Sequence, residues 1–260
     1  MQQRHRIRFP KDSTHSLNQD EAYFFLQSEN KERKIRFHDY NEIYKIPGLY
    51  EQLFYDRLKC NSPSKVTSIL HSAIEQKSSY NFTELRALDL GAGNGIMGEE
   101  LKKQGVSRLI GVDIIPEAYE AMIRDRPNLY DSYYIEDFCR LDTKTRKEIA
   151  SWQLDCLVSV AALGFGDISI KAFIEAFNII QNQGWVAFNI KETFLEHTDN
   201  TGFSRMIREL VFSKYLNIYC IERYRHRLST EGEPLYYFAL VGWKNSDVPL
   251  EFLEAKEIIL

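Results

Sequence analysis

Long apolar runs, clustered cysteines and a surplus of basic residues are all missing from this chain of 260 residues. No stretch reaches the roughly 18–20 apolar residues that a membrane-spanning helix needs, so no membrane segment is predicted. The basic segment Met1–Arg8 has no apolar segment behind it, unlike a secretory signal. Four widely spaced cysteines predict no metal site and indicate reduced thiols in the cytoplasm. A net charge of −4 argues against a broad nucleic-acid-binding surface.

Glycine is also sparse, but three glycines stand at alternate positions directly after an apolar strand pattern. The strand pattern is Leu85–Leu90, the glycines are Gly91, Gly93 and Gly95, and a helical pattern follows over residues 96–101. Glycines allow unusual backbone angles and close approach of a ligand, and the start of a helix presents unpaired N–H groups. This arrangement predicts a pocket for a cofactor that contains a nucleoside.

The register of the glycines discriminates between two cofactor classes. A dinucleotide fingerprint, G-x-G-x-x-G, opens directly after its strand and would place its third glycine at Ile96. A second match, Gly93-x-Gly95-x-x-Gly98, begins two residues too late. An NAD-dependent oxidoreductase is therefore the alternative rather than the first hypothesis.

The pattern that is in register, Asp89-x-Gly91-x-Gly93-x-Gly95, resembles the cofactor loop of class I S-adenosylmethionine (SAM)-dependent methyltransferases. An acidic side chain near the turn suits the ammonium and sulfonium of SAM, whereas a pyrophosphate suits a helix N-terminus. The resemblance extends over about residues 83–244 and implies SAM as cofactor and S-adenosylhomocysteine as product. It implies that Asp89, Gly91, Ala92, Gly93 and Gly95 bind the cofactor.

An acidic residue ends the second strand pattern, Leu109–Ile114, 22 residues after Gly91. A carboxylate at this position, Asp113, can accept hydrogen bonds from ribose hydroxyls, and Ile114 would form an apolar wall for the adenine. NAD-binding and SAM-binding proteins share such an acid. It therefore supports a nucleoside pocket without identifying the cofactor, and a solvated strand end is the other interpretation.

The third strand pattern ends in Glu136-Asp137-Phe138. In the family that the chain resembles, an acid at this point meets the adenine amino group and an apolar neighbour lies against the ring. The resemblance thus implies Asp137 and Phe138 as cofactor contacts. Glu136 is a competing candidate, Asp142 is a weaker one, and an exposed acidic loop is the other possibility.

The fourth strand pattern, residues 154–160, is almost continuously apolar, as buried parallel strands are. In the family, the loop after this strand lies beside the methyl group that is transferred. The resemblance therefore adds Ser159 to the cofactor contacts. Many enzymes that methylate nucleobase or amide nitrogens carry Asn-Pro-Pro-Tyr there, but this chain has Ser159-Val160-Ala161-Ala162. This departure argues against that subtype and leaves the acceptor atom open.

Strands alternate with helices through the rest of the chain, which predicts a mostly parallel sheet covered on both faces. The last two strand patterns, 216–225 and 235–243, are joined by a polar turn too short for a helix, so they should form an antiparallel hairpin. The predicted fold is α/β: a Rossmann-like three-layer sandwich with a seven-stranded, mostly parallel sheet and a terminal antiparallel hairpin. Residues 83–260 form its SAM-binding domain.

Residues 1–82 are predicted to form an N-terminal tail and a helical cap. The first 20 residues are polar and basic and should be loosely ordered, and the helical prediction runs from Asp20 to Lys77. Many class I methyltransferases place such a segment over the SAM pocket as a lid, with a tyrosine reaching the cofactor. The resemblance makes Tyr40 and Tyr44 the candidates, although these rings could simply pack the cap onto the sheet.

Methyl transfer needs alignment more than acid–base chemistry, so the reaction does not dictate one catalytic residue. The candidates for a general base are His38, Asp167 and Glu192. Arg223, Arg225 and Arg227 should share one face of a strand, either as a solvated strand end or as a site for an anionic acceptor. We expect a methyltransferase that acts on an O or N atom of a small molecule; a non-catalytic SAM-binding module is a further alternative.

Overall fold

The computed structural model describes residues 4–10, 21–28, 31–77, 81–164, 166–196, 199 and 201–258. None of the helices in these ranges combines the length and the apolar character that crossing a bilayer requires.

The N-terminal residues form a small antiparallel sheet followed by helices. The elements are β1 (Arg6–Arg8), β2 (Tyr23–Ser28), β3 (Lys31–Arg36), α1 (Tyr40–Tyr44), α2 (Leu49–Glu51, continued by a π-helical turn over Gln52–Arg57) and α3 (Ser62–Lys77). The prediction of helix from Asp20 is therefore wrong over β2 and β3. Phe24 pairs with Ile35 across these strands, and both side chains are fully buried. Aromatic and β-branched residues on a half-buried sheet favour strand over helix here.

The N-terminal tail also differs from its prediction. Residues Arg6–Arg8 are ordered as β1, which pairs with β2 and buries Ile7. The expectation of a loosely ordered tail is wrong at this point, because Ile7 joins the apolar core of the small sheet. Residues 11–20 lie outside the described residues.

A second, larger sheet forms the body of the protein. Its strands are β4 (Arg86–Leu90), β5 (Arg108–Asp113), β6 (Ser132–Ile135), β7 (Cys156–Ser159), β8 (Trp185–Lys191), β9 (Leu216–Leu228) and β10 (Pro234–Lys244). Their order is β6-β5-β4-β7-β8-β10-β9, and β4 to β8 pair in parallel. The strand order reverses at β4, and in open α/β sheets a ligand crevice lies at the carboxyl ends of the strands beside such a reversal.

The terminal hairpin is present as predicted: β10 is antiparallel to both β8 and β9. A β-bulge interrupts its regular pairing, because Arg225 lies opposite Tyr236 while Arg227 lies opposite Leu235, which leaves His226 as the extra residue. A bulge changes the direction in which the next side chain points. Arg223 and Arg225 are exposed but Arg227 is buried, so the prediction that the three arginines share one face is wrong.

Helices cover both faces of the large sheet, which confirms the predicted Rossmann-like α/β fold. The remaining helices are α4 (Ile96–Lys103), α5 (Pro116–Asp125), α6 (Thr143–Ser151), α7 (Ile170–Ile179), α8 (Phe203–Phe212) and α9 (Leu250–Ala255). The apolar side chains of α3 and α4 share one core with the sheet, and those of α6, α7 and α8 share the other. Because α3 packs on the large sheet, we propose that the N-terminal unit ends near Asn61 rather than at residue 82.

Candidate functional site: a cofactor cavity at the carboxyl ends of the strands

A cavity of about 450 Å³ lies at the carboxyl ends of β4, β5 and β7. Of the predicted cofactor residues, those that line it are Gly91, Ala92, Gly93, Asp113, Ile114, Asp137, Phe138, Tyr40 and Tyr44. Two of the three candidate bases, His38 and Asp167, line it as well. The fold thus brings together residues that are up to 129 positions apart in the chain.

The glycine turn has the backbone conformation that the sequence pattern predicts. Gly91, Gly93 and Gly95 all have positive φ, at 77°, 54° and 89°. The backbone N–H groups of Gly91 and Ala92 both donate to the carbonyl of Val112, 2.9 Å away, which ties the turn to β5. Gly95 does not line the cavity; it begins α4, where it allows close packing against Leu129.

The carboxylate of Asp113 holds the glycine turn in place. It accepts hydrogen bonds from the backbone N–H groups of Gly93 at 2.9 Å and of Ile115 at 3.0 Å. Burial raises the pKa of Asp113, and the hydrogen bonds from these amides oppose that shift. Asp113 therefore has a structural role in addition to the ribose contact that its position predicts. Ile114, beside it, is 56% exposed and available to a ring in the cavity.

The end of β6 supplies the next part of the wall. Asp137 accepts a hydrogen bond from the backbone N–H of Cys139 at 2.8 Å, and Phe138 is buried beneath the cavity. Glu136 also lines the cavity, so it stays a candidate for the adenine contact alongside Asp137. Asp142 instead caps α6 by accepting from the amides of Lys144 and Thr145.

Besides Gly95, two predicted cofactor residues lie outside the cavity wall, Asp89 and Ser159. The carboxylate of Asp89 is buried on the α3–α4 face of the sheet, where it accepts a hydrogen bond from the Tyr130 hydroxyl at 2.7 Å. The hydroxyl of Ser159 donates to the carbonyl of Leu90 at 3.1 Å, also within the sheet. The structure therefore does not support side-chain contacts from Asp89 or Ser159 to a ligand in this cavity. Alternation along β4 and β7 directs these two side chains toward the faces of the sheet and not toward the cavity at the strand ends.

The burial of Asp89 has a consequence for stability. Desolvation raises the pKa of Asp89 from its ordinary 3.8 to about 7, although the hydrogen bond from Tyr130 lowers it. Because the folded protein then holds this proton more tightly than the unfolded chain does, protonation of Asp89 stabilises the folded state. This contribution to the free energy of unfolding is complete below about pH 4 and is lost as the pH rises toward 7. We expect Asp89→Asn to gain stability relative to the wild type over that range, on the order of a few kcal/mol.

Urea unfolding at pH 5, 6, 7 and 8 measures this difference. Asp142→Asn is the control, since the hydrogen bonds from Thr145 and Lys144 lower the pKa of Asp142 and its protonation lies below this range. A stability difference between Asp89→Asn and the wild type that does not change with pH would contradict the expectation.

Aromatic side chains of the N-terminal unit form the opposite wall of the cavity. Tyr40 stacks on Tyr44 with ring centroids 6.1 Å apart, and Tyr44 lies 5.0 Å from Tyr50. Burial raises the pKa of Tyr40 and Tyr44 well above the usual range, so both phenols are protonated at neutral pH. Tyr44 is the closer to the glycine turn: a Cβ on Gly93 would lie 2.5 Å from its hydroxyl oxygen.

His38 and Asp167 form a pair at the cavity wall. The His38 Nδ1 atom lies 2.9 Å from Oδ2 and 3.2 Å from Oδ1 of Asp167. With the proton on Nδ1, the lone pair is on Nε2, which is the arrangement of an oriented general base. The third candidate, Glu192, does not line the cavity and pairs with Arg223 at 2.8 Å instead, so the structure does not bring it to this site.

An ion-pair cluster that the sequence did not reveal joins the N-terminal unit to the glycine turn. Glu51 Oε1 accepts from Asn94 Nδ2 at 2.8 Å and from the Arg126 guanidinium at 2.9 Å. Arg126 also binds Glu99 at 2.8 Å and the carbonyl of Asn94. These partners come from three separate segments, so no local pattern could have indicated them.

A hydrogen-bond chain supports the loop after β7. The backbone N–H of Ala161 donates to Asn189 at 2.6 Å, Asn189 donates to the Tyr224 hydroxyl at 2.7 Å, and Tyr224 donates to Ser62 at 2.7 Å. Ser62 lies 2.6 Å from Nδ1 of His226, whose pKa burial lowers well below its usual range. These hydrogen bonds fix Ala161, a cavity residue with a positive φ of 59°, against the hairpin and α3.

The charge on the cavity wall fits SAM. Asp113, Glu136, Asp137 and Asp167 line it, and no lysine or arginine does among the residues that the structure describes. Such a wall favours a ligand with an ammonium and a sulfonium over one with a pyrophosphate. The cavity is also narrow at the turn, because a Cβ on Gly91 would lie 2.7 Å from the Cβ of Ala162. No group of three or more metal-ligating side chains occurs in the described part of the chain.

Comparisons with known proteins support the fold and the kind of domain. A family described as a methyltransferase domain matches residues 88–188, which contain the glycine turn and the ends of β5 to β7. A SAM-dependent methyltransferase from Anabaena variabilis has a similar fold, with 14% identity, a TM-score of 0.51, and coverage of 84% of this chain and 99% of that one. A protein from Thermoplasma acidophilum has 13% identity and a TM-score of 0.50, with 80% and 98% covered. No curated protein matches the sequence.

Residues 88–188 thus form a methyltransferase domain, and the seven-stranded sheet with its terminal hairpin and the acidic cavity fit SAM-dependent methyl transfer. SAM is its cofactor, and the alternative of an NAD-dependent oxidoreductase is not supported. Gly91, Gly93, Asp113 and Asp137 are the residues that we propose to hold SAM.

Proposed function

We propose that this enzyme transfers the methyl group of SAM to an O or N atom of a small molecule, with His38 as general base. The observation that carries the proposal is the pairing of His38 with Asp167 at the wall of the cofactor cavity. Bound SAM supplies a methyl group that its sulfonium already makes electrophilic. His38 would accept the proton that a hydroxyl or an ammonium group of the acceptor must lose. Asp167 is then a positioning residue, because it acts through the imidazole.

The N-terminal unit covers the cofactor cavity, and a covered cavity favours a small acceptor. The N-terminal unit contributes His38, Tyr40, Tyr44 and Tyr50 to the cavity wall, so this unit lies over the place where an acceptor would meet the cofactor. Closing such a site excludes water and orients the reactants. The net charge of −4 and the acidic wall also give little attraction for a polyanion. We therefore propose a small molecule rather than a nucleic acid or a protein as the acceptor.

The thiols are compatible with a reducing compartment. All four cysteines are free, and Cys156 is buried within β7. Together with their wide spacing, this supports a proposed cytoplasmic location.

Methyl-labelled SAM and a panel of small alcohols, phenols and amines test the proposed function. We expect label to appear in at least one compound. With that acceptor, His38→Ala should lower kcat by about 10²–10⁴-fold, the usual contribution of a general base, while the Kd for SAM stays unchanged. Asp167→Asn should lower kcat by less than His38→Ala does, because Asp167 acts only through the imidazole.

His71→Ala is the matched control, since His71 pairs with Glu75 on the surface of α3, away from the cavity. Wild-type kcat in the His38→Ala enzyme would show that alignment alone suffices and that His38 is not the base. Label in no small molecule, but in protein or RNA from a cell extract, would contradict the choice of acceptor class.

A further inference from the structure

A second, smaller cavity of about 40 Å³ adjoins the cofactor cavity. The two share His38, Tyr40, Tyr50, Ala161 and Asp167 as wall residues, so the small cavity opens off the end where the candidate base lies. A cavity needs about 10–15 Å³ to hold one water molecule, so this one has room for a group the size of two or three waters. It lies beside the proposed acceptor position and not along the glycine turn.

The far wall of the small cavity carries a buried positive charge. Arg227 is only 5% exposed, although arginine is almost never this buried without a partner. Its guanidinium donates to the carbonyl of Leu228 at 2.9 Å and lies 5.4 Å from the centre of the Phe37 ring. No carboxylate lies within 4 Å of it among the residues that the structure describes. Asp167 lines the same cavity, but its carboxylate is engaged with His38.

A β-bulge in the hairpin directs Arg227 into the wall of the small cavity. The bulge at His226 turns Arg227 inward, whereas regular alternation would leave it exposed like Arg225. The hairpin is also fastened at this point, since Leu228 donates to the carbonyl of Leu58 at 2.7 Å. Burying an unpaired charge is expensive, so a guanidinium held in this way fits a site whose counter-ion arrives with a ligand.

We propose that the small cavity is the acceptor subsite and that Arg227 recognises a carboxylate of the acceptor. A guanidinium offers two parallel N–H donors that match a carboxylate, and the size of the cavity suits that group better than a bulkier anion. The inference rests on the proposed function, since it assigns a substrate class to that site. Arg227 is then a specificity residue: it fixes the acid end of the acceptor while the atom to be methylated faces His38.

The test uses binding rather than turnover, so it is independent of finding the acceptor. The protein loaded with S-adenosylhomocysteine is titrated with acetate, with its uncharged isostere acetamide and with inorganic phosphate at constant ionic strength, and thermal melting is recorded. Acetate should raise the melting temperature of the wild type, and acetamide should not. Arg227→Met should weaken the response to acetate at least tenfold, and the Kd for SAM should stay within twofold of the wild type.

Arg225→Met is the matched control, because Arg225 is the exposed neighbour on the other side of the bulge and should respond to acetate like the wild type. Arg227→Met should also fold well, since it replaces a buried charge with a side chain of similar length; in the absence of ligand it should melt at a higher temperature. Loss of SAM affinity in Arg227→Met would instead assign Arg227 to the cofactor's own carboxylate. An equal response to acetate in both variants, or a response to phosphate alone, would also overturn the proposal.

Discussion

Gly93→Val is expected to abolish SAM binding while the protein stays folded. The backbone at Gly93 has a φ of 54°, which a β-branched residue adopts only with strain. A Cβ there would also lie 2.5 Å from the Tyr44 hydroxyl oxygen, in the space between the glycine turn and the tyrosine wall. Isothermal titration calorimetry should show a loss of at least 100-fold in affinity, which corresponds to about 2.7 kcal/mol.

Gly232→Val separates this effect from backbone strain alone. Gly232 also has a positive φ, 93°, but a Cβ there has no atom within 4 Å, and the residue lies in the hairpin turn and does not line the cavity. This variant should lose stability and keep its affinity for SAM. If folded Gly93→Val binds SAM like the wild type, the cofactor does not occupy the space beside the glycine turn.

Asp113→Ala should weaken SAM binding at least tenfold and should also lower the melting temperature. The sequence alone predicts little change in stability, because a strand-end carboxylate contributes little packing. The structure revises that prediction, since the carboxylate accepts hydrogen bonds from the Gly93 and Ile115 amides. Each hydrogen bond to a charged acceptor contributes roughly 1.5–3 kcal/mol, so removing the carboxylate loosens the turn as well as the ribose contact.

Two control experiments separate the loss of the ribose contact from the loss of stability. Asp142→Ala removes another carboxylate that accepts from two backbone amides, but at the start of α6, so it should lower stability without changing the Kd for SAM. Asp113→Ala should weaken adenosine more than 2′,3′-dideoxyadenosine, because the second compound has no ribose hydroxyls to lose. Equal losses for the two nucleosides would leave Asp113 as a structural residue only.

The large sheet could be predicted because each of its strands carries a local signal. The glycine turn follows β4 directly, an acid ends β5, two acids follow β6, and the short polar turn before Pro234 leaves no room for a helix. The small sheet could not be predicted in the same way. β3, Lys31–Arg36, has one buried residue among six, Ile35, so neither a strand alternation nor a helical stripe stands out. Its strand conformation depends on pairing with the aromatic residues of β2.

In the candidate site, too, some residues carry a local sequence signal and others depend on distant parts of the chain. Residues at strand ends, such as Asp113 and Phe138, could be assigned from their position in the sequence, because parallel strands end at one edge of the sheet. The orientation of Asp89 could not be assigned in this way, since it depends on what covers its face of the sheet. The burial of Arg227 could not be assigned either, since it depends on a bulge in the hairpin. Glu51 gave no signal at all, because its partners Asn94 and Arg126 come from other segments.

The hydrogen-bond chain from Ala161 to His226 restricts how this enzyme could be rebuilt. It links the loop after β7, strand β8, the hairpin and the first turn of α3 through Asn189, Tyr224 and Ser62. An N-terminal segment grafted from another methyltransferase would therefore leave buried polar groups without partners unless the hairpin were exchanged with it. We expect chimaeras that exchange both pieces to express as folded protein, and those that exchange one to fail. The segment that begins α3 and the hairpin are thus coupled through buried hydrogen bonds and have to be exchanged together.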